Sequence, residues 1–118
     1  MKSSILKEKS FAFAIRIVRL YQFLVESKKE FVLSKQVLRS GTAIGALVRE
    51  AEYGQSKRDF VSKLSISLKE ANETIYWLEI LKTTDYIGEK EFSSMKRDGE
   101  ELLKMLTASV KTAKKNSE

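Results

Sequence analysis

Few side chains in this sequence could do chemistry, and they fall in three places. The first is Arg39-Ser40-Gly41-Thr42-Ala43-Ile44-Gly45, where two of only five glycines stand beside an arginine and two hydroxyls. A phosphate-cradling loop requires G-x-x-x-x-G-K-[ST] after a strand, so that backbone N–H groups and a lysine converge on phosphate. Here the spacing is Gly41-x-x-x-Gly45, no Lys-Ser/Thr follows, and the surrounding pattern is helical. Each glycine costs a helix about 1 kcal/mol relative to alanine, and close approach of a second helix is the usual reason to tolerate that cost. Ser34, Gly41 and Gly45 share one narrow strip beside the stripe Leu33, Val37, Ile44, Leu47, Val48 and Ala51. They are expected to be close-packing positions.

The second place is Lys69, Glu70 and Glu73, on one side of a helix near Trp77. Paired carboxylates with a lysine can act as acid and base when buried. More often such residues are i,i+3 or i,i+4 surface pairs or polar contacts at an interface. The third place is a set of cations. Lys90, Arg97, Lys104 and Lys111 recur every seven residues, with Lys115 close to the same line. At that spacing they drift by only about 20° per step and form a continuous ribbon. Lys35, Arg39 and Arg49 fall within about 80° of one another on the face opposite their own core stripe. Arrays of this kind suit phosphate contacts, which need positive charge along a line and no base-reading geometry. Glu50, Glu100 and Glu101 lie close by, and a merely solvated polar face is the competing reading.

Composition removes other chemistries. Histidine and cysteine are both absent among the 118 residues, which excludes a zinc site, a Ser-His-Asp triad, a Cys-His pair and disulfides. No metal or cofactor is expected. The lack of cysteine fits a reducing cytoplasm. The first residues are too charged for a secretory signal, and Arg16 and Arg19 interrupt the apolar run Phe11 to Leu20, so no membrane span is expected. The net charge of +6 favours polyanionic partners.

The positioning elements follow from apolar period. Without proline nothing forces a break, and four helical segments are expected at about residues 4–27, 32–53, 57–83 and 89–114. Lys28-Lys29-Glu30 reads as a charged connection, and Ser56 with Asp59 as a cap opening the third helix. The expected fold is a single all-α domain over 1–118, an antiparallel up-and-down four-helix bundle. Two helices carry more apolar surface than a lone bundle uses. The first helix is apolar over roughly 220° of its circumference. The third has its main stripe and a second strip of Ile66, Trp77, Ile80 and Leu81 on its other side. These surplus faces are expected to meet another subunit.

The run "VLSKQVLRSGTAIGALVREAEYGQSKRDFVSKLSISLKEANETIYWLEILKTTDYI", with its Arg39-Ser40-Gly41, Ser56-Lys57 and Asp59-Phe60, resembles the bacterial 23S rRNA intervening-sequence protein family. The core of the likeness covers residues 32 to 87, and the flanking helices fit in length and pattern. That motif often carries Ser where this chain has Ala43, and Asn where it has Leu47. The resemblance implies a four-helix bundle assembling into a homopentameric ring. It also implies kinship with the accessory protein of diversity-generating retroelements, a basic pentamer that binds nucleic acid and associates with a reverse transcriptase. Two roles remain: a non-enzymatic accessory protein that binds RNA or DNA, or a scaffold for protein partners whose charge serves solubility.

Overall fold

The computed structural model describes residues 2–116, which form four α-helices and no strand. α1 spans Lys2–Glu26, α2 Leu33–Glu52, α3 Lys57–Thr83 and α4 Glu89–Asn116. α4 continues past Ala113, the last apolar residue in its pattern. Lys114 and Lys115 suit a helix C-terminus, where the backbone dipole favours positive charge. The helices pack into a rod of 48 × 22 × 20 Å. α1 packs on α2, α2 on α3 and α3 on α4, whereas α1 and α4 meet along a thinner seam. α1 and α3 therefore lie across the bundle from each other.

Each helix sends one stripe inward. Phe13, Ile17 and Leu24 of α1 meet Val37 and Ile44 of α2, Ala71 and Leu78 of α3, and Met95, Leu102 and Leu106 of α4, all at 2% exposure or less. The α1–α2 seam is tight because of its glycines. A Cβ on Gly41 would stand 2.6 Å from Ile17 Cγ1 and 2.8 Å from its Cγ2, and one on Gly45 would stand 3.3 Å from the Ser10 carbonyl oxygen. Neither glycine has a positive φ. What α2 needs there is room, not conformational freedom.

Ser34, the third small residue of that strip, is fully buried for a different reason. Its hydroxyl donates to the Glu30 carbonyl at 2.8 Å and its N–H to Glu30 Oε1 at 2.6 Å. Residues 28–30 do form the charged connection between α1 and α2, but Glu30 is buried in it. Its side chain turns inward, and its other oxygen accepts the N–H groups of Val32 at 3.2 Å and Leu33 at 3.0 Å. Glu30 thus caps α2, which has no cap from Val32. Burial pushes its carboxyl up, but the three backbone N–H donors outweigh that and hold it below the ordinary carboxylate value. At α3, the Ser56 hydroxyl accepts the Asp59 N–H at 3.1 Å, and Asp59 Oδ2 accepts from Gln55 N–H at 3.3 Å.

One surface expectation fails here. Leu81, placed by its angle on the outer strip of α3, is completely buried within the chain's own core. The connection after α3 folds back over it, with the N–H groups of Tyr86 and Ile87 donating to the Leu81 carbonyl at 2.9 and 3.4 Å. A helical wheel cannot represent a loop that covers its last turn.

Candidate nucleic-acid and subunit interfaces

The Lys69-Glu70-Glu73 group is organised around an arginine from another helix. Arg39 of α2 reaches across to α3 and donates to Glu70 Oε2 at 3.2 Å and to Glu73 Oε2. Glu73 Oε2 also accepts the indole N–H of Trp77 at 2.9 Å. The Trp77 N–H, then Arg39, hold the Glu73 carboxyl below the ordinary range against the opposing effect of burial, and Glu70 and Glu73 push the Arg39 guanidinium further up. A carboxylate tied to two donors and stabilised as the anion is a poor proton acceptor at neutral pH. The cluster clamps α2 to α3. Arg39, expected among the phosphate-binding cations, is charge-matched within the chain. Lys69 is exposed and takes no part.

Of the other cations assigned to α2, Lys35 is exposed and has no ion pair among the described residues, and Arg49 lies over the Phe11 ring of α1 at 5.1 Å. The three do not act as one set. α4 is different. Lys90, Arg97, Lys104 and Lys111 are all exposed along its outward line, and among the described residues none has a carboxylate partner. The acids of α4 explain this. Glu101 turns to Lys9 of α1 at 3.2 Å, and Asp98 and Glu91 turn to Arg16 of α1 at 2.6 and 3.9 Å. Glu89 turns the other way, to Lys82 of α3 at 3.0 Å. Four of the carboxylates on α4 are thereby drawn sideways into its seams. Of those near the ribbon, Glu100 alone stays exposed without a partner among the described residues. The four cations stand about 10.5 Å apart along the helix.

Apolar surface is exposed on two corners of the bundle. On α1 the continuous strip is Phe11, Ile15 and Val18, at 52%, 45% and 37% exposure, opposite the core stripe. On α3 it comprises Ile66 at 40% and Tyr76 at 57%, with Trp77 and Ile80 half-buried beside them. Trp77 meets Tyr76 edge to face at 5.2 Å. Both strips lean toward α2: Phe11 lies under Arg49, and Trp77 is bound to the same Glu73 that Arg39 holds. The outer strip of α1 could have been singled out residue by residue, because Phe11, Ile15 and Val18 keep the 4 and 3 spacing of a second stripe. A hollow of about 700 Å³ between α1 and the start of α4 is lined by Arg16, Arg19, Lys28 and Glu91. Arg16 is already paired with two carboxylates there, which lowers its appeal to an anion.

No described helix is long and apolar enough to cross a membrane. The model of the 23S rRNA-intervening sequence protein family matches residues 2–108. The chain belongs to that family. A solved structure from Bacteroides thetaiotaomicron VPI-5482, a protein of unknown function from the S23 ribosomal protein family, is similar at 56% identity. The likeness covers 94% of this chain and 99% of that one, with a TM-score of 0.93. No functionally curated protein matches the chain. Membership accounts for the bundle and its four helices; it assigns no activity to this member, so any functional reading rests on its own surfaces.

Proposed function

We propose that this protein is a non-enzymatic, self-associating bundle that binds nucleic acid as an accessory factor. The observation that carries the reading is the α4 ribbon of Lys90, Arg97, Lys104 and Lys111, exposed and unmatched while the neighbouring acids, Glu100 excepted, are engaged elsewhere. Unmatched cations in a line release the condensed counterions of a polyanion when it binds. The absence of histidine and cysteine, and the locking of Glu70 and Glu73 into a clamp, favour a role without catalysis.

In this reading the helices run alternately up and down. The pairs Lys7–Glu52, Ser10–Gly45 and Ile17–Gly41 support this, since α2 numbers fall as α1 numbers rise. Copies then join head to tail. Two different apolar strips on opposite corners favour a heterologous contact, which closes into a ring rather than a dimer. Their heights match: Ser10 packs at Gly45, and the Ser67 hydroxyl donates to the Ile44 carbonyl at 2.9 Å, so Phe11 and Ile66 stand at one level. In a ring of parallel copies the two would meet. We take the ring to be the homopentamer that the family resemblance implies.

Light scattering on a sizing column tests the assembly. The expected mass is five times the 13.5 kDa chain, falling to 13.5 kDa in Ile15→Glu, which puts a charge into the α1 strip. A wild-type monomer would overturn the ring. Anisotropy of a labelled RNA tests the ligand: binding at about 50 mM salt that weakens strongly by 200 mM is expected. No binding at either concentration would instead favour the scaffold reading.

A further inference from the structure

Resting on the nucleic-acid reading above, we infer that the ring takes duplex nucleic acid, RNA or DNA, in preference to single strands, and holds it on its outer wall along α4. Two independent features of the molecule lead there.

The first is the chemical character of the ribbon. Proteins that hold single strands combine positive charge with aromatic side chains on which bases stack. The outward line of α4 has none: between Lys90 and Lys111 the exposed positions carry Glu91, Ser93, Arg97, Glu100, Glu101, Lys104 and Ala108, and the helix's one aromatic, Phe92, is buried. A ligand held by charge alone is selected by charge density. A duplex presents one phosphate per about 1.7 Å of axis, with a steeper counterion term than a single strand. The ribbon extends about 31 Å, the length of about nine base pairs at 3.4 Å each.

The second feature is the lean of the two apolar strips. In any closed ring the two neighbours of a copy lie on the side facing the axis. Both strips tilt toward α2, through Phe11 beneath Arg49 and Trp77 beside the Arg39 clamp. That turns α2 toward the axis and α4 away from it. The outer faces agree: on α2 Arg39 is turned aside to α3 and Arg49 to α1, which leaves the small Thr42 and Ala46 between them, whereas on α4 four long cations stand outward. The ribbons of all copies thus stand around the outside.

The experiment is a salt titration of binding to a duplex of about 20 base pairs, as RNA and as DNA, and to one unpaired strand of the same length. For four contacts per engaged copy, the slope of log K against log salt should be about −3.6 with duplex and about −2.8 with single strand. The duplex should bind more tightly at every salt concentration. Lys104→Glu with Lys111→Glu should weaken duplex binding by about tenfold or more at 50 mM salt and flatten the slope by about two. A covalently closed circular duplex should bind as well as a linear one, since nothing has to be threaded. Tighter binding of the single strand would overturn the duplex preference while leaving nucleic-acid binding intact. Binding of linear but not circular duplex would place the ligand in the lumen and overturn the outer wall. Duplex binding unchanged by the charge reversals would remove α4 from the site, and failure to bind any of these probes would overturn the parent reading as well.

Discussion

α1 has two seams, and they are built in different ways. Against α2 it is pressed so closely that Ile17 occupies the space of a Cβ on Gly41, and a buried carboxylate at Glu30 secures the start of α2. Against α4 the contact is thinner, and exposed ion pairs from Lys9 and Arg16 bridge it. The first seam depends chiefly on shape, with one exposed ion pair, Lys7–Glu52, at its rim, and largely resists salt. The bridged seam is screened by salt and adds little stability. It has a different consequence: by occupying Asp98, Glu91 and Glu101, α1 keeps those carboxylates away from the cations of α4. A weak structural contact thus shapes the charge of the outer face.

The difference can be broken most forcefully at Gly41. Gly41→Ala should cost about 2 kcal/mol of stability in chemical denaturation, overpacking outweighing the helix propensity gained. In an Ile17→Ala background, already weakened by its own cavity, the same change should be neutral or stabilising. Additive losses in the double variant would mean that Gly41 is not fitted to Ile17.

Slightly smaller is the effect of removing the buried cap. Glu30→Ala should cost about 2 kcal/mol or somewhat less, since three N–H donors lose their acceptor. The pH dependence has a definite sign. The folded carboxyl is held below its ordinary value, so its contribution is complete above the unfolded value of about 4.3 and is lost as pH falls through the lower folded value. Glu30→Gln keeps one acceptor oxygen and should flatten the fall in stability below about pH 4.5. An acid limb as steep as that of the wild type would show that Glu30 does not titrate as a cap.

The smallest stability effect belongs to the other seam. Arg16→Ala should cost about 1 kcal/mol or less, and that loss should vanish in high salt. It should nevertheless weaken nucleic-acid binding, because Asp98 and Glu91 are released beside Arg97. A variant that loses stability equally at low and high salt would show that Arg16 packs the seam instead of bridging it.

Helical period alone located the four helices, because a buried face repeats every 3.6 residues whatever the partner. It also marked Gly41 and Gly45, since a glycine inside a helix carries a cost that only proximity explains. It could not distinguish Leu81 from Ile66, because burial at a helix end depends on where the next loop goes. Nor could it identify Glu30, a residue type not favoured at caps, whose role depends on the chain turning back through Lys29 at φ 54°. Charges were the least legible of all. Lys35, Arg39 and Arg49 lie on one face of α2 by spacing, and so do the four cations of α4. Which of them face solvent unmatched depends on carboxylates from other helices: Arg39 meets Glu70 and Glu73, while the acids of α4 are drawn off to Lys9, Arg16 and Lys82. The sequence by itself determined the helices and their inward stripes, because both are local and periodic. Tertiary structure decided which charges remain free, because most of these ion pairs, Lys82 with Glu89 excepted, join residues 31 to 92 positions apart along the chain.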